Sequence, residues 1–526
     1  MQIPDSFFEE TQLLKVLVLN KFDCSKLPSS LSLLNHLEAL SIYNCKFEDV
    51  NMIGDLANLR MLVFLESTIQ RFPKQIRKLQ KLLFLDLKDT YFQVIPPNVL
   101  SNLTSLEEIY LRNSFYNWQV ERSNNENKNA SLKELTNLHH LVCVKELCVP
   151  DPQAWPMDLF FEKLKSYTIL IGDRWGQTHD GDHRLKILKL KLDRRFHLAN
   201  GIKQMMKNVD VLYLDELNGV QNIGDLDDNG FPYLRSLVVQ YNAEVKYVAK
   251  MSDHALDTFF SNLDSISLLN LANFEYICHG PLIGKSFFNV RVINIQECNG
   301  MKCLFSTSMI KGLPHLADME VSDCKLLEAI VLVEGGENPH MDFAELSSLT
   351  LRGLPALISF CINKETSYID TSTLFQDQVS CPELENMVIS NAKKLIMIWN
   401  ENYDAPNSFW KLKNVSITGF QLPKLEYVCV GFGLEVLKEK LEEERKKEAS
   451  KEIREKERME VEAEDTNMFI KHATQRILQK AEGRSIEDEG INKDAEKFSN
   501  FIQRVRQVFL EDRNKMKTNS QILFNA

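Results

Sequence analysis

One short stretch of the sequence has the residue types of a metal site. Trp175-Gly176-Gln177-Thr178-His179-Asp180-Gly181-Asp182-His183 places two histidines and two carboxylates within five residues. Imidazole and carboxylate together suit zinc and related ions. A loop that short cannot turn all four side chains inward without a further element, so a solvated turn is the expectation. Two cysteine pairs, Cys143 with Cys148 and Cys298 with Cys303, each have four residues between them. A structural zinc site needs four ligands in two close pairs, and cysteine is among the residue types most often buried. Both pairs therefore read as core cysteines. The sequence has no Gly-x-Ser-x-Gly elbow, no His-Glu-x-x-His helix motif and no papain-like cysteine signature. Neither a metal nor another cofactor is expected, and neither is enzymatic activity.

The chemistry that remains is that of a binding surface, and a repeat decides where that surface lies. Apolar residues recur at offsets 0, 3 and 5, with a small or polar residue at offset 8. The pattern fits Leu14, Leu17, Leu19; Leu37, Leu40, Ile42 with Cys45; and Leu59, Leu62, Phe64 with Ser67. It continues through Leu82, Leu85, Leu87 with Thr90 and Leu106, Ile109, Leu111 with Ser114, at intervals of 23, 22, 23 and 24 residues. Later starts are Leu185, Val209, Leu234, Leu263, Val290, Leu316, Leu346, Leu384 and Leu412, among which Asn242, Cys298 and Cys324 sit at offset 8. That makes fourteen good starts, with two poorer ones near Leu138 and Leu164. The first repeat departs from the pattern, with Phe22 at offset 8.

Offsets 3 and 5 put two apolar side chains on one face of a short strand. No such strand buries its face alone, so successive strands must stack in parallel around a continuous core. The predicted fold is an α/β repeat, a leucine-rich-repeat solenoid or horseshoe with a concave parallel sheet, over residues 1–435. The offset-8 residue turns inward, where its polar atom meets backbone groups at the bend. Pro28, Pro73 and Pro96 fall on the convex return. Residues between the buried leucines face outward: Lys15, Val18, Glu38, Ser41, Tyr43, Arg60, Val63, Asp86, Lys88, Glu107, Tyr110 and Arg112 in the first five repeats. Aromatic and arginine side chains dominate binding hot spots, so Tyr43, Tyr110, Arg112, Tyr213 and Tyr241 are the candidate protein-binding residues. The stretch from about Phe115 to Arg184 is expected to be irregular.

Composition narrows the partners. The net charge of −11 argues against nucleic acid, whose phosphates demand clustered positive charge. No apolar run approaches the roughly 18 residues of a membrane span, so no membrane partner is expected. The start Met1-Gln2-Ile3-Pro4-Asp5-Ser6 lacks the basic and apolar regions of a signal peptide. The expected address is the cytoplasm, with the eleven cysteines reduced.

The N-terminal repeats resemble a known family. Ile3-Pro4-Asp5-Ser6-Phe7-Phe8, Leu27-Pro28-Ser29-Ser30-Leu31, Ile53-Gly54-Asp55-Leu56, Ile95-Pro96-Pro97-Asn98-Val99-Leu100-Ser101 and Leu106-Glu107-Glu108-Ile109-Tyr110-Leu111 are similar to the leucine-rich-repeat region of plant intracellular nucleotide-binding immune receptors, the coiled-coil class of disease-resistance proteins. Cys324-Lys325-Leu326-Leu327-Glu328-Ala329-Ile330 is similar to their irregular later repeats. The resemblance covers roughly residues 1–430. It implies sensing of a pathogen effector or a guarded host protein. In that family a nucleotide-binding switch domain with a G-x-x-x-x-G-K-[ST] loop precedes the repeats. This sequence contains no such loop, so the resemblance implies the sensing part alone, as a truncated or fragmentary receptor, with a nucleotide-binding receptor domain as a further candidate partner. The alternative reading is a structural adaptor that joins protein partners through the repeats and the tail. A substrate-selecting ubiquitin-ligase subunit is disfavoured, since no F-box-like segment is seen.

Composition shifts after Leu437. Between Lys438 and Glu464, twenty of 27 residues are charged, and Glu442–Lys446, Glu443–Lys447 and Glu452–Lys456 have helix-stabilising i,i+4 spacing. Apolar residues are too sparse for a sustained heptad seam. Residues 436–465 read as a charged single helix, or else a coiled coil, and residues 466–526 as a small amphipathic helical tail.

Overall fold

The computed structural model describes residues 4–418 except 70, 121–128, 157–158, 160–162, 174, 176–183, 192–199, 218, 252–258, 281, 283, 334–339, 364–372, 377 and 400–410. The helical tail predicted from residue 436 onward lies outside the described residues, as do residues 176–183 of the histidine-containing loop.

Sixteen strands form one parallel sheet. They run Val16–Asn20, Ala39–Tyr43, Met61–Leu65, Phe84–Asp86, Glu108–Tyr110, Cys143–Val149, Ser166–Ile171, Lys186–Lys191, Val211–Asp215, Ser236–Gln240, Ser265–Leu269, Val292–Gln296, Asp318–Ser322, Ser348–Arg352, Asn386–Ser390 and Asn414–Thr418. Each fourteen-plus-two start of the sequence pattern has its strand, including the two poorer ones. Every chain turn, here called a coil, pairs its strand with the next coil's. The fold is a leucine-rich-repeat solenoid.

Inward residues of neighbouring coils stack. Leu40, Leu62, Leu85 and Ile109 are fully buried in one column, and Ile42, Phe64 and Leu87 in the next. In the later coils phenylalanines fill the middle of the solenoid, with Phe231, Phe260 and Phe287 spaced 5.2 Å apart ring to ring. Successive coils return differently along the chain. The first five use 3-10 turns, Ser29–Leu33, Asn51–Asp55, Lys74–Lys78, Leu100–Asn102 and Leu132–Asn137, and Pro28 and Pro73 lead extended into two of them. Short parallel strands also line the return side, Asp23–Lys26, Lys46–Asp49 and Thr68–Ile69 in the first three coils and Tyr247–Lys250 beside Tyr276–His279 later.

Two residues end each strand in a repeating way. The offset-7 residue takes the left-handed conformation, with φ between 47° and 60° at Lys21, Asn44, Glu66, Asp89, Asn113, Glu216, Tyr241, Asn270, Glu297, Asp323 and Asn391. Asn, Asp and Gly tolerate this region best, and Gly353 holds the same place in its coil. The turn then drives the offset-8 side chain inward. Ser67 Oγ donates to Ile42 O (3.3 Å) or Leu65 O (3.0 Å) and accepts from Cys45 N (3.1 Å). Cys45 Sγ accepts from Phe22 N at 3.3 Å and lies 3.0 Å from Tyr43 O. Asn242 donates to Leu214 O (3.1 Å) and Gln240 O (2.7 Å), and its Oδ1 accepts from Leu217 N. Each of these side chains clips its own strand end to the coil before it.

The stretch expected to be irregular contributes two full strands. Its irregularity is local. In Cys143–Val149 a bulge sets Lys145 and Glu146 against Thr168 alone, with Glu146 left-handed (φ 54°).

Asn242 tests the clip most cleanly, because three backbone groups depend on it. Unpaired buried groups cost about 1–3 kcal/mol each. Asn242→Ala is therefore expected to lower unfolding stability by about 3 kcal/mol in urea titration, whereas Asn391→Ala, in the turn of its own coil, should cost less than about half of that.

Candidate protein-binding face

The outward sheet face carries the sequence-predicted residues in two separate rows. Strand register aligns Val18, Ser41, Val63, Asp86, Tyr110 and Lys145. From the eighth strand onward, Lys189, Tyr213, Val238, Ser267 and Asn294 align. The bulge at Lys145–Glu146 breaks the run. Beyond it Thr168 pairs with Ile187, and Lys189 pairs with Leu170, which itself faces Cys148. Tyr110 and Tyr213 share a repeat offset but not a row. A single template could not show this, because the extra residue lies between repeats that both fit it.

Tyr110 is more enclosed than an outward anchor needs to be, at 4% exposed. Its ring lies against Phe84, 5.4 Å between centroids, with Lys88 Nζ 4.8 Å from the ring centre. The phenol donates to Glu108 Oε2 at 3.2 Å and stands 3.8 Å from Cys143 Sγ, which Ser166 Oγ approaches to 3.4 Å. This chain of polar side chains links three neighbouring strands. Burial pushes the Tyr110 phenol far up. Tyr110 is therefore a structural member of the face, more enclosed than the outward-facing position expected of it.

Asp86 sits beside it, 3% exposed. Burial pushes its carboxyl above the ordinary range, against the pull of the Lys88 ammonium 3.9 Å away and of the Lys88 N–H at 3.0 Å. Arg112 is nearly half exposed and spans two coils, 3.0 Å from Asp89 and 3.9 Å from Glu146. Tyr43 ends its strand half-buried, in the row of Asn20 and Leu65; burial raises its phenol too.

Tyr213 and its surroundings make a second cluster. Lys189 Nζ lies 4.0 Å from the Tyr213 ring centre, a cation–π contact worth about 0.5–2 kcal/mol. Asp215, pushed up by burial, accepts from Gln240 Nε2 at 3.1 Å, and Lys191 reaches both Asp215 (3.8 Å) and Glu216 (3.1 Å). Lys145 and Lys189 were not singled out from sequence, though the alternation of Lys186-Ile187-Leu188-Lys189-Leu190-Lys191 carried the signal. Tyr241 lies off the sheet face. It follows the strand Ser236–Gln240, in the left-handed turn, and is 50% exposed. It belongs to the rim, not to the sheet face.

The face holds tilted rings, fixed cations and shared carboxylates. Burial pushes Cys148, Cys298, Cys303 and Cys324 up to about 12, and a thiol held neutral is neither nucleophile nor ready ligand. Cys143, Cys298 and Cys303 are buried and Cys148 half-buried, in keeping with their reading as core cysteines. Gly280 to Ser286 approaches a phosphate-binding motif, but with one residue too few between its glycines. Ser286 is 2% exposed and its Oγ accepts from Phe259 N at 3.1 Å, tying one coil to the next.

With this geometry in place, comparisons with known proteins give the chain its relatives. The family described as plant disease resistance protein RPS2-like, leucine-rich repeats, matches residues 182–325 and 262–387. Over these residues the solenoid is similar to the leucine-rich repeats of plant disease resistance proteins. A disease resistance protein of Arabidopsis thaliana is 26% identical over 380 residues, covering 68% of this chain and 37% of the relative. A probable disease resistance protein of the same plant is 25% identical over 73% of this chain and 42% of its own length. The TMV resistance protein N of Nicotiana glutinosa is 38% identical over 122 residues, 22% of this chain and 10% of that protein. The chain thus spans about two fifths of the length of the first two disease resistance relatives.

Two outcomes check this geometry. Asp86 has its folded pKa raised, so its carboxylate weakens the fold as pH climbs above the unfolded value of about 4. Asp86→Asn should raise the urea midpoint at pH 7, and the gain should vanish near pH 3, where both side chains are neutral. Tyr241→Asn should stabilise by about 1 kcal/mol, since a left-handed residue other than Asn or Gly costs about 1–2 kcal/mol; a loss of stability would place Tyr241 in the packing.

Proposed function

We propose that this chain is the recognition part of a plant immune receptor, a non-catalytic module that binds a protein partner through the outward face of its sheet. Similarity to the leucine-rich repeats of disease resistance proteins supports an immune-related repeat module, and the finer reading rests on the sheet face. The supporting observation is that Arg112, just past the strand Glu108–Tyr110, and Lys189 and Tyr213, on the neighbouring strands Lys186–Lys191 and Val211–Asp215, are each held by an ion pair or a ring contact. Side chains fixed in this way lose little freedom on binding. The partner is a pathogen effector or a guarded host protein, met in the cytoplasm.

The test compares two triple variants of the full chain in plant tissue challenged with pathogen. Tyr43→Ala, Arg112→Ala and Tyr213→Ala remove the face without touching Tyr110. Tyr91→Ala, Tyr233→Ala and Leu326→Ala remove exposed side chains elsewhere. Quantitative mass spectrometry of co-purified proteins should show at least one partner reduced about tenfold or more by the first set and unchanged by the second. The reading fails if no partner separates the two sets while both variants keep the wild-type unfolding midpoint.

A further inference from the structure

The return side of the third coil concentrates positive charge in an otherwise acidic protein. Between its strand and the next, Arg71, Lys74, Arg77, Lys78 and Lys81 are all exposed, with no carboxylate among residues 71–85. The pattern arises from the 3-10 turn Lys74–Lys78. Phe72, Ile76 and Leu79 are buried completely, so Lys74, Arg77 and Lys78 between them are left to point to solvent. Pro73 leads into the turn in an extended conformation and fixes where the cations begin.

Little of this charge is neutralised. Lys78 pairs with Asp55 of the coil before at 2.9 Å, and Lys81 Nζ donates to the uncharged Asn58 at 2.6 Å. Among the described residues, Arg71, Lys74 and Arg77 form no ion pair. On one side, the return of the fourth coil from Phe92 to Ser105 carries no charged residue. On the other, the second coil's return carries Glu48, Asp49 and Asp55.

We propose that this ridge is a second interaction surface, separate from the sheet face, and that it binds an acidic peptide segment of a protein partner. Its dimensions fit such a segment. At about 2 Å of rise per residue, the 3-10 turn Lys74–Lys78 spans about 8 Å, which about three residues of extended chain cover at about 3.3 Å each. A broad anionic surface fits less well. A membrane would also meet Glu48, Asp49 and Asp55 beside the ridge, whereas a narrow strand of carboxylates avoids them. Nucleic acid meets the same neighbours. Lys74, Arg77 and Lys78 share one 3-10 turn and lie within about one Debye length at physiological salt, about 8 Å, so they act on a bound carboxylate run together.

The test uses the full chain and a fluorescein-labelled peptide of about eight alternating aspartate and glutamate residues, followed by anisotropy. Lys74→Glu with Arg77→Glu reverses the two cations that hold no partner and fill no core position. Lys393→Glu with Lys394→Glu makes the same change in net charge at exposed sites elsewhere. The ridge variant should bind the peptide at least about tenfold more weakly and the control within about twofold of wild type. Binding to the wild type should also weaken steeply between about 50 and 300 mM salt, as screening demands. Equal losses in both variants would show non-specific attraction to net charge and overturn the proposal. So would undetectable peptide binding by the wild type. Vesicles of phosphatidylcholine and phosphatidylserine that retain the wild type and release the ridge variant, in the absence of peptide binding, would assign the ridge to a membrane instead.

Discussion

Everything in this solenoid depends on how each strand stops. A parallel strand of five residues leaves backbone groups at its end that the next strand does not reach, and a sixteen-strand sheet repeats the problem sixteen times. The inward side chain at offset 8 answers it. Ser67, Asn242 and Cys45 each touch backbone of their own strand end and of the coil before. The left-handed residue immediately ahead of it makes that inward turn sterically possible. Because the clip crosses between coils, it sets register as well as satisfying groups. Register in turn decides which residues share a row on the outer face.

The face shows what that register allows. Charged side chains lie nearly buried on it, Asp86, Lys145 and Lys189 among them. Such groups persist only with partners close by, since an uncompensated buried charge is strongly destabilising. Lys189 lies over the Tyr213 ring, and Asp86 has Lys88. The contacts bind neighbouring strands to each other, so the side chains that give the face its chemistry also stiffen it. A surface built this way is pre-organised, and Tyr110 shows that an aromatic side chain on it can also tie neighbouring strands together.

Much of this was legible in the sequence because leucine spacing is a direct record of strand position. All sixteen strands follow from it, and so does the inward placement of Ser67, Asn242, Cys298 and Cys324. Three features were not. The bulge at Glu146 inserts one residue without disturbing the apolar pattern on either side, so Tyr110 and Tyr213 looked equivalent. Tyr241 occupies a position where Asn or Gly would have announced a turn, and its aromatic type pointed to a binding role. The enclosure of Tyr110 depends on Phe84, Lys88 and Cys143 from neighbouring coils, distances that no local pattern encodes. For the tail after residue 436, composition alone speaks.

The central claim is that inward clips hold the strand ends in register coil by coil. Hydrogen exchange followed by mass spectrometry addresses it directly on the full chain with Asn242→Ala. The claim predicts that protection falls over Val211–Leu217 and Ser236–Asn242, while Ala39–Tyr43 and Met61–Leu65 keep wild-type rates. Unchanged protection beside residue 242, or an equal loss across all sixteen strands, would contradict it.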